Sequence, residues 1–133
     1  MATLALTALL VRDYDEARRF FEGALGFECV EDRELSPDKR WVVVRPKGSP
    51  AGGLLLARAA DARQRAQVGD QAGGRVFLFP HTDDFPRDHA AFQAKGVVFE
   101  EAPRREPYGF VAVFRDLYGN RWDLIGPDPA ADP

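Results

Sequence analysis

The sequence is poor in cysteine, histidine and lysine. Its 133 residues include one cysteine, Cys29, and two histidines, His81 and His89. A single cysteine excludes an intramolecular disulfide and is typical of a reducing compartment, so we expect a cytoplasmic location. Lysine occurs only at Lys39, Lys47 and Lys95, and the arginines are scattered rather than clustered.

A strong charge of one sign and a long apolar run are also absent. The formal net charge is −3, so a phosphate-binding surface is not expected and nucleic acid is excluded as a predicted partner. The longest apolar stretch, residues 4–11, is too short to span a membrane and has no basic segment before it, unlike a signal peptide. Length and composition instead predict one α+β domain, residues 1–133.

The first half of the chain predicts a strand, a helix and three further strands. An apolar strand at 4–11 precedes a helix that begins after Asp13 and ends at Gly26. Aspartate is a favoured helix N-cap, and glycine is a favoured left-handed helix exit. The three strands that follow are separated by Pro- and Gly-containing turns and lie at 27–35, 40–46 and 53–58.

The second half repeats this order. A strand at 75–81 precedes a helix between Asp84 and Gly96. Three more strands follow, at 97–102, 109–115 and 121–125. The repetition predicts two βαβββ modules, at about 1–58 and 75–126, joined by a polar linker at 59–74 and followed by a C-terminal tail at 127–133.

Three motifs of the chain occur together in one known family. The first is Val11-x-Asp13-x-x-x-Ala17-x-x-Phe20-Phe21-x-x-x-Leu25-Gly26-Phe27, at the opening strand and helix. The second is Asp83-Asp84-Phe85 through Lys95-Gly96-Val97, at the second helix. The third is the closing hairpin, Phe114-Arg115-Asp116-Leu117-Tyr118-Gly119-Asn120-Arg121-Trp122-Asp123-Leu124. In this order they resemble the glyoxalase / bleomycin-resistance / extradiol-dioxygenase superfamily, also called vicinal oxygen chelate proteins. The resemblance implies two βαβββ modules whose curled mixed sheets surround a shared cleft, in a homodimer.

The resemblance also implies where a metal would be held. Family enzymes bind a divalent cation through His, Gln or Glu on the first and last strand of each module. The matching positions here are Leu6, the run Leu54-Leu55-Leu56, Phe77 and Asp123. One carboxylate among hydrocarbon side chains does not compete with water for Zn²⁺, Ni²⁺ or Fe²⁺. We therefore predict no metal site and no cofactor.

Neither histidine is expected to supply a missing metal ligand. His81 lies beyond Phe77, at the end of its predicted strand. His89 lies on the second helix in register with Phe85, so we expect a half-buried packing position rather than a metal ligand.

Strand alternation predicts the lining of the cleft, because every second residue of a strand faces the same way. Phe77, Phe79 and His81 then share one side of their strand, and Arg121 and Asp123 share one side of another. Tyr108 lies on a loop that approaches the cleft mouth in relatives. The predicted ligand-binding residues are Phe77, Phe79, Asp123, Trp41, Tyr108, Leu6 and Arg121.

Most of these residues also have a purely structural interpretation. Phe77 and Phe79 would fill space in place of a metal, and Trp41 would pack in the core or at a dimer interface. Asp123 is the hardest to explain in this way, because a carboxylate facing an apolar cleft is desolvated unless it is paired or its pKa is raised. Its partner would be Arg121, His81 or a cationic ligand.

Three functions remain open at this point. The first is a metal-independent binder that sequesters a small aromatic or cationic molecule, as bleomycin-resistance proteins do. The second is a lyase, isomerase or dioxygenase-type enzyme of the same superfamily, with Asp123 or His81 as the candidate catalytic group or with a recruited metal. The third is a regulatory or accessory module with a vestigial cleft. The sequence has no motif for nucleophilic catalysis or nucleotide binding.

Overall fold

The computed structural model of the protein describes residues 1–50 and 52–129. Within them the chain forms three helices and nine strands. It divides into two compact units, Met1–Gln71 (unit one) and Ala72–Pro133 (unit two). Each unit contains a curled mixed sheet, so the predicted α+β class and the two βαβββ modules are confirmed. Of the predicted tail at 127–133, residues 130–133 lie outside the described part of the chain.

Unit one contains the first module and one additional helix. Its elements in chain order are β1 (Thr7–Val11), α1 (Tyr14–Gly23), β2 (Phe27–Ser36), β3 (Lys39–Pro46), β4 (Leu54–Arg58) and α2 (Ala62–Gln67). The sheet has the strand order β1-β4-β3-β2. β1 runs parallel to β4, and the other pairs are antiparallel.

Unit two repeats this plan. Its elements are β5 (Val76–Leu78), α3 (Phe85–Ala94), β6 (Val98–Phe99), β7 (Arg104–Glu106), β8 (Gly109–Arg115) and β9 (Arg121–Gly126). The strand order is β5-β9-β8-β6, and β7 also pairs with β8. Each unit therefore opens on a strand that lies parallel to the last strand of its module.

The predicted N-caps of both long helices are confirmed. α3 ends at Ala94, and its C-cap Lys95 precedes Gly96, whereas α1 ends at Gly23, three residues before the predicted Gly26. The carboxylate of Asp13 accepts a hydrogen bond from the backbone N–H of Glu16 at 2.8 Å, and that of Asp84 accepts one from Arg87 at 3.1 Å. Gly26 and Gly96 have φ angles of 69° and 87°. This is the left-handed conformation that glycine adopts at little cost.

One face of each sheet is covered by the long helix of its unit. In unit one, α1 buries Ala17 and Phe21, and strand residues such as Leu9 and Leu56 are buried as well. In unit two, Phe85 of α3 packs near Phe110 of β8, with their ring centroids 5.6 Å apart. Because side chains alternate along a strand, the residues between these core positions lie on the opposite face.

Two predicted strands are shorter in the structure. β1 begins at Thr7 rather than at residue 4 because its partner β4 begins only at Leu54, so Leu4 has nothing to pair with and is 97% exposed. β5 ends at Leu78 rather than at residue 81. Pro80 lacks an N–H to donate, and pairing resumes only as a single bridge between His81 and Ile125.

Two segments have secondary structure that differs from the sequence prediction. The predicted linker at 59–74 includes α2, whose first turn is capped by the carboxylate of Asp61. The predicted strand at 97–102 is reduced to β6, which ends at Phe99, and an additional strand, β7, begins directly after Pro103. No helix in the described part of the chain is long and apolar enough to cross a bilayer.

Candidate functional site

The β8–β9 hairpin holds two buried carboxylates in different surroundings. Asp116 is 6% exposed and Asp123 is 8% exposed. Asp116 accepts hydrogen bonds at 3.0 Å from the backbone N–H groups of Tyr118 and Asn120. It also accepts from the side chains of Asn120 and Trp122, each at 3.0 Å. These four bonds give Asp116 a structural role in closing the hairpin.

Asp123 lacks this support at one of its oxygens. Its Oδ1 is buried and accepts no hydrogen bond from any described residue. Neither predicted partner, Arg121 or His81, donates to that atom. Burial raises the pKa of Asp123, and nearby Arg104 acts in the opposite direction. Asp123 is therefore a buried acceptor whose Oδ1 has no donor.

The charges around Asp123 are mixed, with the arginines Arg104 and Arg121 and the glutamates Glu101 and Glu106. Arg104 already binds Glu101, at 3.0 Å, and Glu106. Arg121 lies on the same face of β9 as Asp123 by strand alternation. Its guanidinium binds Glu100 at 2.8 Å and the carbonyl oxygen of Gly74 at 3.2 Å. The cations near Asp123 are thus bound to other acceptors, and the Oδ1 of Asp123 is left available to a hydrogen-bond-donating group.

A groove of about 490 Å³ in unit two is lined by Ile125 of β9 but not by Asp123 itself. Ile125, which lines it, is two residues beyond Asp123 on the same face of β9, a separation of about 7 Å along a strand. His81 bridges to Ile125, and Tyr108 lies in the turn before β8; both line the groove. We refer to Asp123, Ile125, His81 and Tyr108 as the Asp123 site. Two of the predicted site residues, His81 and Tyr108, line this groove, and Asp123 does not.

The other predicted residues of unit two lie at the edge of its sheet. Phe79 is 55% exposed and precedes His81 by two positions. Phe77 is half-buried in β5, where the register against β9 shifts between Val76 and Leu78. Both remain predicted ligand contacts.

In unit one the predicted site residues are Leu6 and Trp41. Leu6 lies just before β1 and is 38% exposed. The indole N–H of Trp41 donates to the carboxylate of Glu31. Trp41 also lines a groove of about 890 Å³ whose lining includes Leu10, Leu55, Ala57, Lys39, Arg58 and Arg65. We call this the Trp41 groove. Sequence reasoning missed its basic residues because α2, which supplies Arg65, was not predicted.

The side chains at the family's metal positions do not fit a divalent cation. Leu6, Phe77 and the leucines of β4 offer no donor atom, which leaves Asp123 alone. Across residues 1–50 and 52–129, no three His, Cys, Asp or Glu side chains are grouped so that they could hold a metal ion. A single carboxylate does not replace the hydration shell of such an ion.

His89 lies away from both grooves, in the half-buried packing position that was predicted. Its ring stacks on Phe85 with the centroids 5.5 Å apart and lies 4.3 Å from the ring of Phe99. Burial lowers the pKa of His89. Its Nε2 atom is buried and has no hydrogen-bond partner among the described residues.

Comparison with known proteins places the chain among proteins of similar sequence and fold. The profile of the Glyoxalase/Bleomycin resistance protein/Dioxygenase superfamily matches residues 3–124. An uncharacterized protein of Shewanella frigidimarina (strain NCIMB 400) is 54% identical over 119 residues, covering 89% of this chain and 88% of that protein.

Two solved structures are similar along nearly the whole chain. UcmS2 is 30% identical with a TM-score of 0.82, covering 94% of this chain and 98% of its own. TnmS3, an antibiotic binding protein from Streptomyces sp. CB03234, is 28% identical with a TM-score of 0.75, covering 96% of this chain and 98% of its own.

Proposed function

Because the chain belongs to the glyoxalase/bleomycin resistance protein/dioxygenase superfamily, we propose that it binds a small organic molecule without a metal and releases it unchanged. The ligand of the Asp123 site carries an aromatic ring and a cationic or hydrogen-bond-donating group. Phe77, Phe79 and Tyr108 are its proposed aromatic contacts, and Arg121 is a further proposed contact. Leu6 and Trp41, the predicted ligand-binding residues of unit one, are not assigned to this site.

The observation that carries this proposal is the buried Oδ1 of Asp123. A buried acceptor without a donor destabilises a fold by roughly 1–3 kcal/mol. A ligand donor removes that cost, so a complex gains what the free protein lacks. The carboxylate of Asp123 itself would favour a cation, and Tyr108 at the groove favours a ring.

The size of the grooves and the similar structures support a binding role. Small-molecule sites are mostly apolar clefts of about 300–1,000 Å³ with a few polar groups. The two grooves, of about 490 and 890 Å³, lie within this range. TnmS3 is an antibiotic binding protein, which supports a binding role for a chain of similar fold.

Calorimetric titration with 2-naphthylmethylamine, an aromatic cation, tests the proposal. Asp123→Asn keeps the size of the side chain but removes its charge, and we expect about a 10-fold or greater loss of affinity. Asp70→Asn, in unit one, makes the same change of charge at an exposed position and serves as the control. Equal affinity in all three proteins would show that Asp123 does not bind the amine.

A second candidate function is an enzyme that uses Asp123 as a general acid or base. The observation that favours it is the raised pKa of Asp123, since catalytic carboxyls are tuned in this direction. Mass spectrometry of the ligand after incubation separates the two candidates. Recovery of unchanged ligand, with or without added divalent metal, supports the binder, whereas a new product supports the enzyme.

We further propose a cytoplasmic homodimer. Several large apolar side chains are exposed, among them Leu4 at 97%, Val98 at 62% and Leu35 at 50%. Contact with a second copy would cover part of this surface. Light scattering should give about twice the chain mass of 14.8 kDa at micromolar concentration. A stable monomer would contradict the dimer.

A further inference from the structure

The Trp41 groove lies at one end of the sheet of unit one. The carboxyl end of β4, the amino end of β3 and helix α2 all contribute to its lining. β1 is an edge strand there, and the side chain of Gln71 accepts a hydrogen bond from its Leu10 N–H at 3.0 Å. Gln71 thus satisfies a backbone donor at the sheet edge next to the groove.

The floor of the groove is apolar. Leu10 pairs with Ala57, and Leu55 precedes Ala57 by two residues on the same face of β4. Trp41 belongs to this face too, because it lies two residues before Val43, which pairs with Leu55. An indole beside three aliphatic side chains provides a surface on which a flat ring can lie.

The polar lining of the groove is predominantly basic. Lys39, Arg58 and Arg65 line it, and none of the three forms an ion pair or hydrogen bond through its side chain with another described residue. By contrast, Arg40, at the same groove, is bound to Asp15 at 3.0 Å and to Asp32 at 2.6 Å. The one carboxylate in the lining is that of Asp38. Three uncommitted cations therefore face one carboxylate, in a chain whose net charge is −3.

We infer that the Trp41 groove binds a small aromatic anion, with the ring on the apolar floor and a carboxylate held by Arg58 and Arg65. The planar guanidinium donates two parallel hydrogen bonds to a carboxylate, which makes arginine well suited to this group. Lys39 adds a third positive charge. The ligand is opposite in charge to that of the Asp123 site, so this inference goes beyond the proposed function and stands on different residues.

Titration with 2-naphthoate, followed by tryptophan fluorescence, tests the inference. Trp41 is half-buried in the groove, whereas Trp122 is 2% exposed, so the bound ring should alter mainly the emission of Trp41. We expect Arg58→Gln and Arg65→Gln each to weaken binding about 5-fold or more, since each removes a charge-assisted hydrogen bond. Added salt should weaken binding to the unmodified protein as well.

Arg63→Gln is the matched control, because Arg63 lies on α2 with Arg65 but does not line the groove. Its affinity for 2-naphthoate should stay within 2-fold, roughly the size expected for an exposed charge. Asp123→Asn should also bind 2-naphthoate normally, which separates this inference from the proposed function. No saturable binding at millimolar 2-naphthoate, or unchanged affinity in both groove variants, would overturn it.

Discussion

Unit one lines its groove with Lys39, Arg58 and Arg65. The groove of unit two has no lysine or arginine in its described lining and lies two residues along β9 from the buried carboxylate of Asp123. The sheets that carry these groups have the same strand order. The last strand of unit one, β4, has leucine at three successive positions, and the last strand of unit two, β9, has a buried carboxylate. A repeated backbone plan thus supports two grooves that differ in the charge of their surroundings.

Features that stabilise the helix ends occur in both units, whereas the side chains near the grooves differ between them. Both units use an aspartate cap and a left-handed glycine at the ends of the long helix, because these features satisfy backbone groups that every such helix exposes. Among the described residues, the charged side chains near the two grooves do not bind backbone groups of this kind. Asp116 shows the contrast within one hairpin, since four donors bind it while the Oδ1 of Asp123 has none.

The largest difference between the units is expected at their tightest glycines. A Cβ atom at Gly109 would meet the carbonyl oxygen of Gly126 inside contact distance, and the φ of Gly109 is 133°. Gly109→Ala should destabilise the protein by roughly 2–5 kcal/mol, from backbone strain and overpacking together. At Gly53 the Cβ would lie 3.1 Å from a methyl group of Val43, and we expect Gly53→Ala to cost about 1–2 kcal/mol. Urea unfolding of both variants measures the difference, and equal costs would contradict it.

The helix exits should respond alike in the two units. Gly26 and Gly96 both have positive φ angles, and a Cβ at either would meet no atom within 4 Å. Valine at either position is strained by its backbone conformation alone, so each substitution should cost roughly 1–3 kcal/mol. An unchanged melting temperature in either variant would contradict the left-handed exit at that helix.

Asp123→Asn should stabilise the free protein at neutral pH, by about 1 kcal/mol, because the variant buries no charge. The pKa of Asp123 is raised in the folded state, so the folded state binds this proton more tightly than the unfolded state does. The resulting stability is fully present below the unfolded pKa and is lost as the pH rises through the raised value. The advantage of the variant should therefore shrink on acidification. Melting temperatures without ligand test this, and a less stable variant at neutral pH would argue that Asp123 supports the fold.

The smallest effect is expected at His89, whose pKa burial lowers. Protonation then favours the unfolded state, so wild-type stability should fall as the pH drops below the ordinary histidine value of about 6.5. His89→Phe retains a ring against Phe85 and Phe99 and should flatten this part of the pH profile. Parallel profiles for the two proteins would rule out His89 as the cause.

Features fixed by neighbouring residues were predicted from the sequence, and features that depend on strand pairing were not. The caps Asp13 and Asp84, and the strand 109–115, follow from local pattern. Pro80 and Pro103 have no backbone N–H, and whether this affects a strand depends on whether a neighbouring strand would accept a hydrogen bond at that position. Helix α2 is polar throughout, so its one sequence signal is the cap at Asp61.

The same distinction applies to the site. The sequence indicated that Asp123 is unusual, because a carboxylate occupied a strand position expected to face an apolar cleft. The missing donor at its Oδ1 depends on side chains from other elements, including Arg104 on β7, which the sequence pattern did not predict. The basic lining of the Trp41 groove likewise depends on α2 and on the end of β4.

The central claim is that the two units bind ligand groups of opposite charge. The most direct test is an NMR titration of isotope-labelled protein with 2-naphthylmethylamine and, separately, with 2-naphthoate, two probes with the same ring system and opposite charge. We expect the amine to shift the backbone amide signals of Asp123, Ile125 and Tyr108. The carboxylate should instead shift the indole N–H of Trp41 and the amides of Leu55 and Arg58. If both probes shifted one common set of signals, or if the amine shifted those of the Trp41 groove, the claim would be wrong.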